Sequence, residues 1–110
     1  MAVAGATTAA APQRSATPLP TGHVVPAGQI ALIRTGLVIE VPSGHFLGIF
    51  ARSSTPLKRG LMVANGVGVV DPDYCGPTDE VMVQVLNFTT TDVTVRRGDR
   101  LAQGIVLPAP

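Results

Sequence analysis

From Val24 onward the chain is built of short β-branched runs separated by Gly and Pro turns. Runs of this length suit strands better than helices, and a period of two places alternate residues in a core. Glu80 to Asn87 shows the pattern best, with Val81, Val83 and Val85 on one face and Glu80 and Gln84 on the other. Leu37 to Val41 repeats it, with Leu37, Ile39 and Val41 opposite Glu40. Further runs are Gln29 to Arg34, Phe46 to Ala51, Val93 to Arg96 and Ala102 to Leu107. Turns are expected at Pro42-Ser43-Gly44, at Thr89 to Asp92 and at Arg97-Gly98-Asp99. Asn65-Gly66 is a strong hairpin signal. Helix is expected only at Pro56 to Gly60, a single turn with Pro early and Gly at its end. The fold class is therefore all-β, a sandwich or barrel with little helix.

A chain of 110 residues makes one domain the natural expectation. Its core cannot be large, so contacts between subunits would help it. Residues 1–22 are rich in Ala, Thr and Pro, with Arg14 as their only charge. They are expected to form a flexible tail, with or without an extended piece that docks elsewhere, ahead of a β domain over 23–110. The formal net charge is +1, which offers no basic field for nucleic acid or membrane, and neither is expected as a partner. No stretch is long and apolar enough to span a bilayer. The N-terminus lacks the basic start and apolar run of a signal peptide. The single cysteine, Cys75, cannot form an internal disulfide, and no Cys/His cluster suggests zinc. A reduced cytoplasmic setting fits. Four of the seven acids, Asp71, Asp73, Asp79 and Glu80, fall within ten residues. They read either as a solvated loop or as a site holding a metal or a proton acceptor.

Three stretches could carry chemistry. Ala51 to Leu61 opens with Arg52-Ser53-Ser54, whose guanidinium, hydroxyls and backbone N–H groups suit phosphate oxygens. The same residues also read as a polar strand end capped by serines. Ala64 to Gly76 holds Asn65, small residues such as Gly68, then Asp71-Pro72-Asp73-Tyr74. Asn65 can read a base edge, and glycines let the backbone approach a flat ring. Asp71 can accept a proton from water, and Tyr74 can pack against a sugar. An ordinary Asx turn explains the stretch equally well. Arg96 to Gly104 carries Gln103 after a tight turn, and alone reads as a charged hairpin turn.

In order and spacing these stretches resemble the motifs of the trimeric dUTPase family, especially its bacterial members. Ala51-Arg-Ser-Ser-Thr-Pro-Leu-Lys-Arg-Gly-Leu61 is similar to the phosphate-binding motif. Asn65-Gly-Val-Gly-Val-Val-Asp-Pro-Asp-Tyr-Cys-Gly76 is similar to the uracil-binding hairpin and catalytic aspartate. Arg97-Gly-Asp-Arg-Leu-Ala-Gln103 resembles the later glutamine-bearing motif, and the resemblance spans roughly residues 24 to 108. It implies a dUTPase-like β-barrel or jelly-roll of the β-clip type. It implies dUTP diphosphatase activity, with Asp71 activating the water that attacks the α-phosphorus to give dUMP and pyrophosphate. Asn65 and the hairpin backbone around Gly68 would read uracil, and Tyr74 would exclude a 2′-hydroxyl. Arg52, Ser53, Ser54 and Gln103 would hold the phosphates. Mg2+ would bind the triphosphate, mostly through oxygens of substrate and water. The partners implied are dUTP and dUMP, and a second and third copy of the chain in a homotrimer with sites between subunits.

The chain departs from the family pattern in three places. The Ala-Gly-x-Asp-Leu motif is not found ahead of residue 24, and no acid precedes Glu40. The Gly-rich arm that covers uracil is not found by Pro110. Cys75 stands where an arginine is usual, and the loop Pro77-Thr78-Asp79-Glu80 is longer than in many members. Loss of the first-motif aspartate and the arm predicts weak turnover. Two rival readings follow. One is a catalytically impaired trimeric nucleotide-binding or structural module. The other is a relative of dCTP deaminase, which would need a core glutamate from Glu40 or Glu80.

Overall fold

The computed structural model describes residues 5–8 and 22–109. Its elements are β1 (Gly5–Thr8), β2 (His23–Val25), β3 (Ile30–Arg34), β4 (His45–Ala51), α1 (Ser54–Arg59), β5 (Leu61–Val63), β6 (Gly68–Val70), β7 (Met82–Asn87), β8 (Val93–Val95) and β9 (Ala102–Pro108). They form a four-stranded sheet in the order β1-β3-β7-β5, a two-stranded sheet β2-β8 and a three-stranded sheet β6-β4-β9. Every pairing is antiparallel. The fold is all-β, with one short helix among the described residues.

Alternation explains the core. Along β7, Val83 and Val85 are buried while Met82, Gln84 and Leu86 are only partly covered. Register places Ala31 and Ile33 of β3 opposite Val85 and Val83, so two buried rows meet on one face. Leu61 and Val63 of β5 extend that face, and Leu47, Ile49 and Val70 of the other sheet close over it, with Leu101 just ahead of β9. Each such aliphatic side chain contributes roughly 1.5–3 kcal/mol on burial. Among the buried polar residues, Asn87 is fully enclosed at the end of β7. Its amide donates to the carbonyls of Val25 and Thr91, both at 2.8 Å, and its oxygen accepts from Thr89 N and Oγ1. A buried amide with its partners satisfied ties three segments together at little cost.

Of the stretch expected as a tail, Gly5–Thr8 form β1 against β3, and residues 1–4 and 9–21 lie outside the described residues. Two expectations are revised. Leu37 to Val41 is not a strand. Gly36 takes φ 74°, which breaks the ladder after β3, and Pro42 has no N–H to continue one. Val41 is buried, whereas Leu37 and Val38 are 46% and 45% exposed. Asn65-Gly66 does turn the chain, with Gly66 N donating to the Val63 carbonyl at 3.0 Å. The strands on either side do not pair with each other: β5 pairs with β7, and β6 with β4. A tight type I′ hairpin needs positive φ at both central residues. Gly66 has φ 76°, but among the described residues no non-glycine residue has a positive φ. The turn is therefore a corner between sheets. The turn at Arg97-Gly98-Asp99 behaves alike, since β8 pairs with β2 and β9 with β4.

Candidate active site

The strand β4 organises the candidate site, because chemistry-bearing residues gather at both of its ends. At its C-terminal end the chain passes Arg52 and enters α1. Ser53 occupies the N-cap position with helical backbone angles and makes no side-chain cap. Thr55 does the fastening instead. Its buried hydroxyl accepts from Arg52 N at 2.9 Å and donates to the Leu101 carbonyl at 2.7 Å. That bond fixes the Arg52 stretch to the root of β9. Two more contacts complete the joint: Arg52 Nη1 donates to the Arg100 carbonyl at 3.3 Å, and Gln103 Nε2 donates to the Ala51 carbonyl at 3.1 Å. Arg52, Ser53, Ser54 and Gln103 are thus one cluster, assembled from residues distant in sequence.

The corner at Asn65-Gly66 lies toward the same end. A largely apolar groove of about 420 Å³, lined by Ala51, Pro56, Met62, Val63, Gly66 and Phe88, separates it from the Arg52 cluster. Asn65 is exposed, and its backbone carbonyl accepts from Val67 N at 3.0 Å. Gly68 lies buried in the β6–β4 ladder opposite Ile49. A Cβ there would stand 3.1 Å from Ile49 Cβ, so the position favours a residue without a side chain.

Asp71 lies at the opposite end. Val70 pairs with Leu47, and Asp71 follows beyond that level. Gln103 pairs with Phe50, near the other end of β4. Strand rise therefore separates Asp71 from the levels of Gln103 and Arg52 by roughly 13 and 20 Å. Asp71 is exposed and heads a turn in which Tyr74 N donates to its carbonyl at 3.1 Å. The Tyr74 hydroxyl donates to the Glu80 carbonyl at 2.9 Å.

The four clustered acids do not converge. Asp79 accepts from Gly76 N at 3.0 Å and so closes its own loop. Glu80 accepts from Arg34 and from Gly36 N. Burial alone would raise the Glu80 pKa; the hydrogen bonds from Arg34 and Gly36 and the Arg34 charge outweigh it and hold the carboxyl below its ordinary value. Among the described residues, no group of three or more His, Cys, Asp or Glu is placed to hold a metal ion. The acids thus split between structural ties and an exposed pair, Asp71 and Asp73.

Comparison with known proteins decides what this arrangement belongs to. The dUTPase family model matches residues 18–109. The chain belongs to the dUTPase family. It is similar to the deoxyuridine 5'-triphosphate nucleotidohydrolase of Desulfitobacterium hafniense, 49% identical over 82 residues that cover 74% of this chain and 52% of that protein. The enzyme of the same name from Lactococcus lactis is 40% identical over 84 residues, covering 74% of this chain and 56% of the relative. In structure it resembles the dUTPase of Streptococcus mutans, with a TM-score of 0.79, 31% identity, and coverage of 99% of this chain and 75% of that one. The chain spans about half the length of the curated relatives it matches.

Within this dUTPase-family chain, the residues singled out from sequence fall into two groups. Arg52, Ser53, Ser54 and Gln103 are brought together, with Asn65 across the groove. Asp71 and Tyr74 stand apart from them in the same chain. Sequence reasoning missed Thr55, the Arg34–Glu80 pair and Asn87. Nothing local marks Thr55 or Arg34, since each acts through a partner 46 residues away.

Proposed function

We propose that this dUTPase-family chain hydrolyses dUTP to dUMP and pyrophosphate at sites shared between copies in a homotrimer. The supporting observation is the division of the motif residues between the two ends of β4. Asp71 stands too far along β4 to reach phosphates held by Arg52 and Gln103 of its own chain, which supports a site completed by a neighbouring copy. The outer face of the β6-β4-β9 sheet fits such a contact. Val69 and Ile105 flank Gly48 in register and are 60% and 43% exposed. Phe50 lies over Gly48, within 2.5 Å of where a Cβ would stand. Asp71 and Gln103 fall in the same strand alternation as Val69 and Ile105, at the two margins of this apolar face. An exposed apolar patch bounded by polar groups marks an interaction surface.

In the reaction, Asp71 takes a proton from the attacking water. The water oxygen bonds to the α-phosphorus, and the bond to the bridging oxygen breaks to release pyrophosphate. Arg52, Ser53, Ser54 and Gln103 hold the phosphates and neutralise their charge, which is the larger part of such catalysis. Asn65 and the backbone toward Gly68 read the base, and Tyr74 lies against the deoxyribose. The chain's own residues build no cage for magnesium among those described. A magnesium ion bound with the triphosphate would neutralise charge through phosphate and water oxygens. A reduced, cytoplasmic setting belongs to this reading, in keeping with a free, exposed Cys75.

The test is pyrophosphate release from dUTP with magnesium, comparing the wild type with Asp71→Asn. Equal rates, or none in either, would sink the catalytic claim. The binding-module reading draws on the absence of any acid ahead of Glu40. Calorimetry with a non-hydrolysable dUTP analogue separates it from catalysis. The deaminase reading loses support, because Glu80 is engaged by Arg34 and Gly36 and Glu40 is exposed on the 35–44 stretch.

A further inference from the structure

We propose that the Arg34–Glu80 pair is a positioning device for Tyr74, and through it sets how strictly the site refuses a ribonucleotide. The inference rests on the dUTP reading above, in which Tyr74 lies against the sugar. Tyr74 is 41% exposed, so packing does little to hold its ring at one angle. Its hydroxyl instead donates to the Glu80 backbone carbonyl at 2.9 Å.

That carbonyl is held from several directions. Glu80 Oε1 accepts from Arg34 Nε at 3.0 Å and Nη2 at 2.9 Å, and Oε2 accepts from Gly36 N at 2.9 Å. The next residue is tied just as closely: Val81 N donates to the Leu37 carbonyl at 2.7 Å, and Thr35 Oγ1 donates to the Val81 carbonyl at 2.6 Å. The Arg34 and Glu80 side chains are 19% and 16% exposed. A fork-shaped, partly shielded pair is both stronger and more directional than a surface ion pair. Arg34 ends β3 and pairs in register with Met82 of β7. The loop that carries Asp71 and Tyr74 is therefore anchored to the central sheet where it rejoins β7. Whether a 2′-hydroxyl fits beneath the ring depends on the ring's tilt, and the tilt depends on this anchor.

The experiment measures kcat/KM for dUTP and UTP in wild type, Glu80→Gln, Arg34→Met and Tyr74→Phe, with hydrogen–deuterium exchange over residues 71–80. Glu80→Gln and Arg34→Met should each lower the dUTP-to-UTP ratio about five- to tenfold, the effect of loosening one hydrogen-bonded anchor. Tyr74→Phe should lower it alike, and adding Glu80→Gln to it should change the ratio no further. Exchange over 71–79 should quicken in Glu80→Gln whether or not the protein turns over. An unchanged ratio, or an equal loss for both nucleotides, overturns the positioning role. A wild type that hydrolyses neither nucleotide overturns the dUTP reading itself. Exchange then decides the anchor alone, and unchanged exchange in Glu80→Gln overturns it.

Discussion

The Thr55 hydroxyl donates to the Leu101 carbonyl at 2.7 Å, and both residues are buried. One side chain thus joins the segment that carries Arg52 to the strand that carries Gln103. Thr55→Val keeps the shape but removes both hydrogen bonds, leaving the Leu101 carbonyl and Arg52 N short of a partner. A loss of about 1–3 kcal/mol is expected. Thermal unfolding monitored by circular dichroism should show the midpoint falling by several degrees, with KM for dUTP rising.

Asn87→Leu removes an amide that serves Val25, Thr89 and Thr91 at once. Several buried carbonyls and donors lose their partner, so about 2–4 kcal/mol should be lost. Urea denaturation should show a lower midpoint with an unchanged slope.

The Arg34–Glu80 pair makes stability depend on acid. The Glu80 carboxyl is held below its ordinary value of 4.5 in the folded chain. The stability it supplies is fully present above that pH and is lost as pH falls through the lower folded value. Denaturation midpoints between pH 7 and 3 should therefore fall more steeply in wild type than in Glu80→Gln. Parallel curves would contradict this.

If Asp71 and Arg52 act across a subunit boundary, two inactive variants should rescue each other. Asp71→Asn and Arg52→Ala, unfolded and refolded together in equal amounts, should recover about a quarter of wild-type activity, because random assembly pairs one intact Asp71 with one intact Arg52 that often. No recovery from a mixture that light scattering shows to be a trimer would place both residues in one subunit.

If the proposed homotrimer packs through the apolar outer face, a charge there should break it. Ile105→Glu is expected to give a folded monomer by light scattering and to abolish turnover, since desolvating an unpaired carboxylate at an interface is costly.

Much of this molecule was legible in its sequence, and the boundary has a physical cause. Alternation in Glu80 to Asn87 told which residues of β7 face the core, because side-chain direction along a strand is local. The Gly60 stop after α1 was legible for the same reason: a left-handed C-cap is a property of one residue. The motif residues around Arg52, Asp71 and Gln103 were visible by their types and order. Their distribution along β4 was not. Strand partners are chosen by which distant edges come together, so Asn65-Gly66 became a corner between sheets. The acids from Asp71 to Glu80 looked like one cluster in the chain. Tertiary structure split them, sending Glu80 to Arg34 and Asp79 to Gly76 and leaving Asp71 exposed at one end of a strand. Sequence determined the kind of fold and the chemical inventory. Only the long-range pairing of β4 with β6 and β9 decided that the inventory is divided between the two ends of one strand.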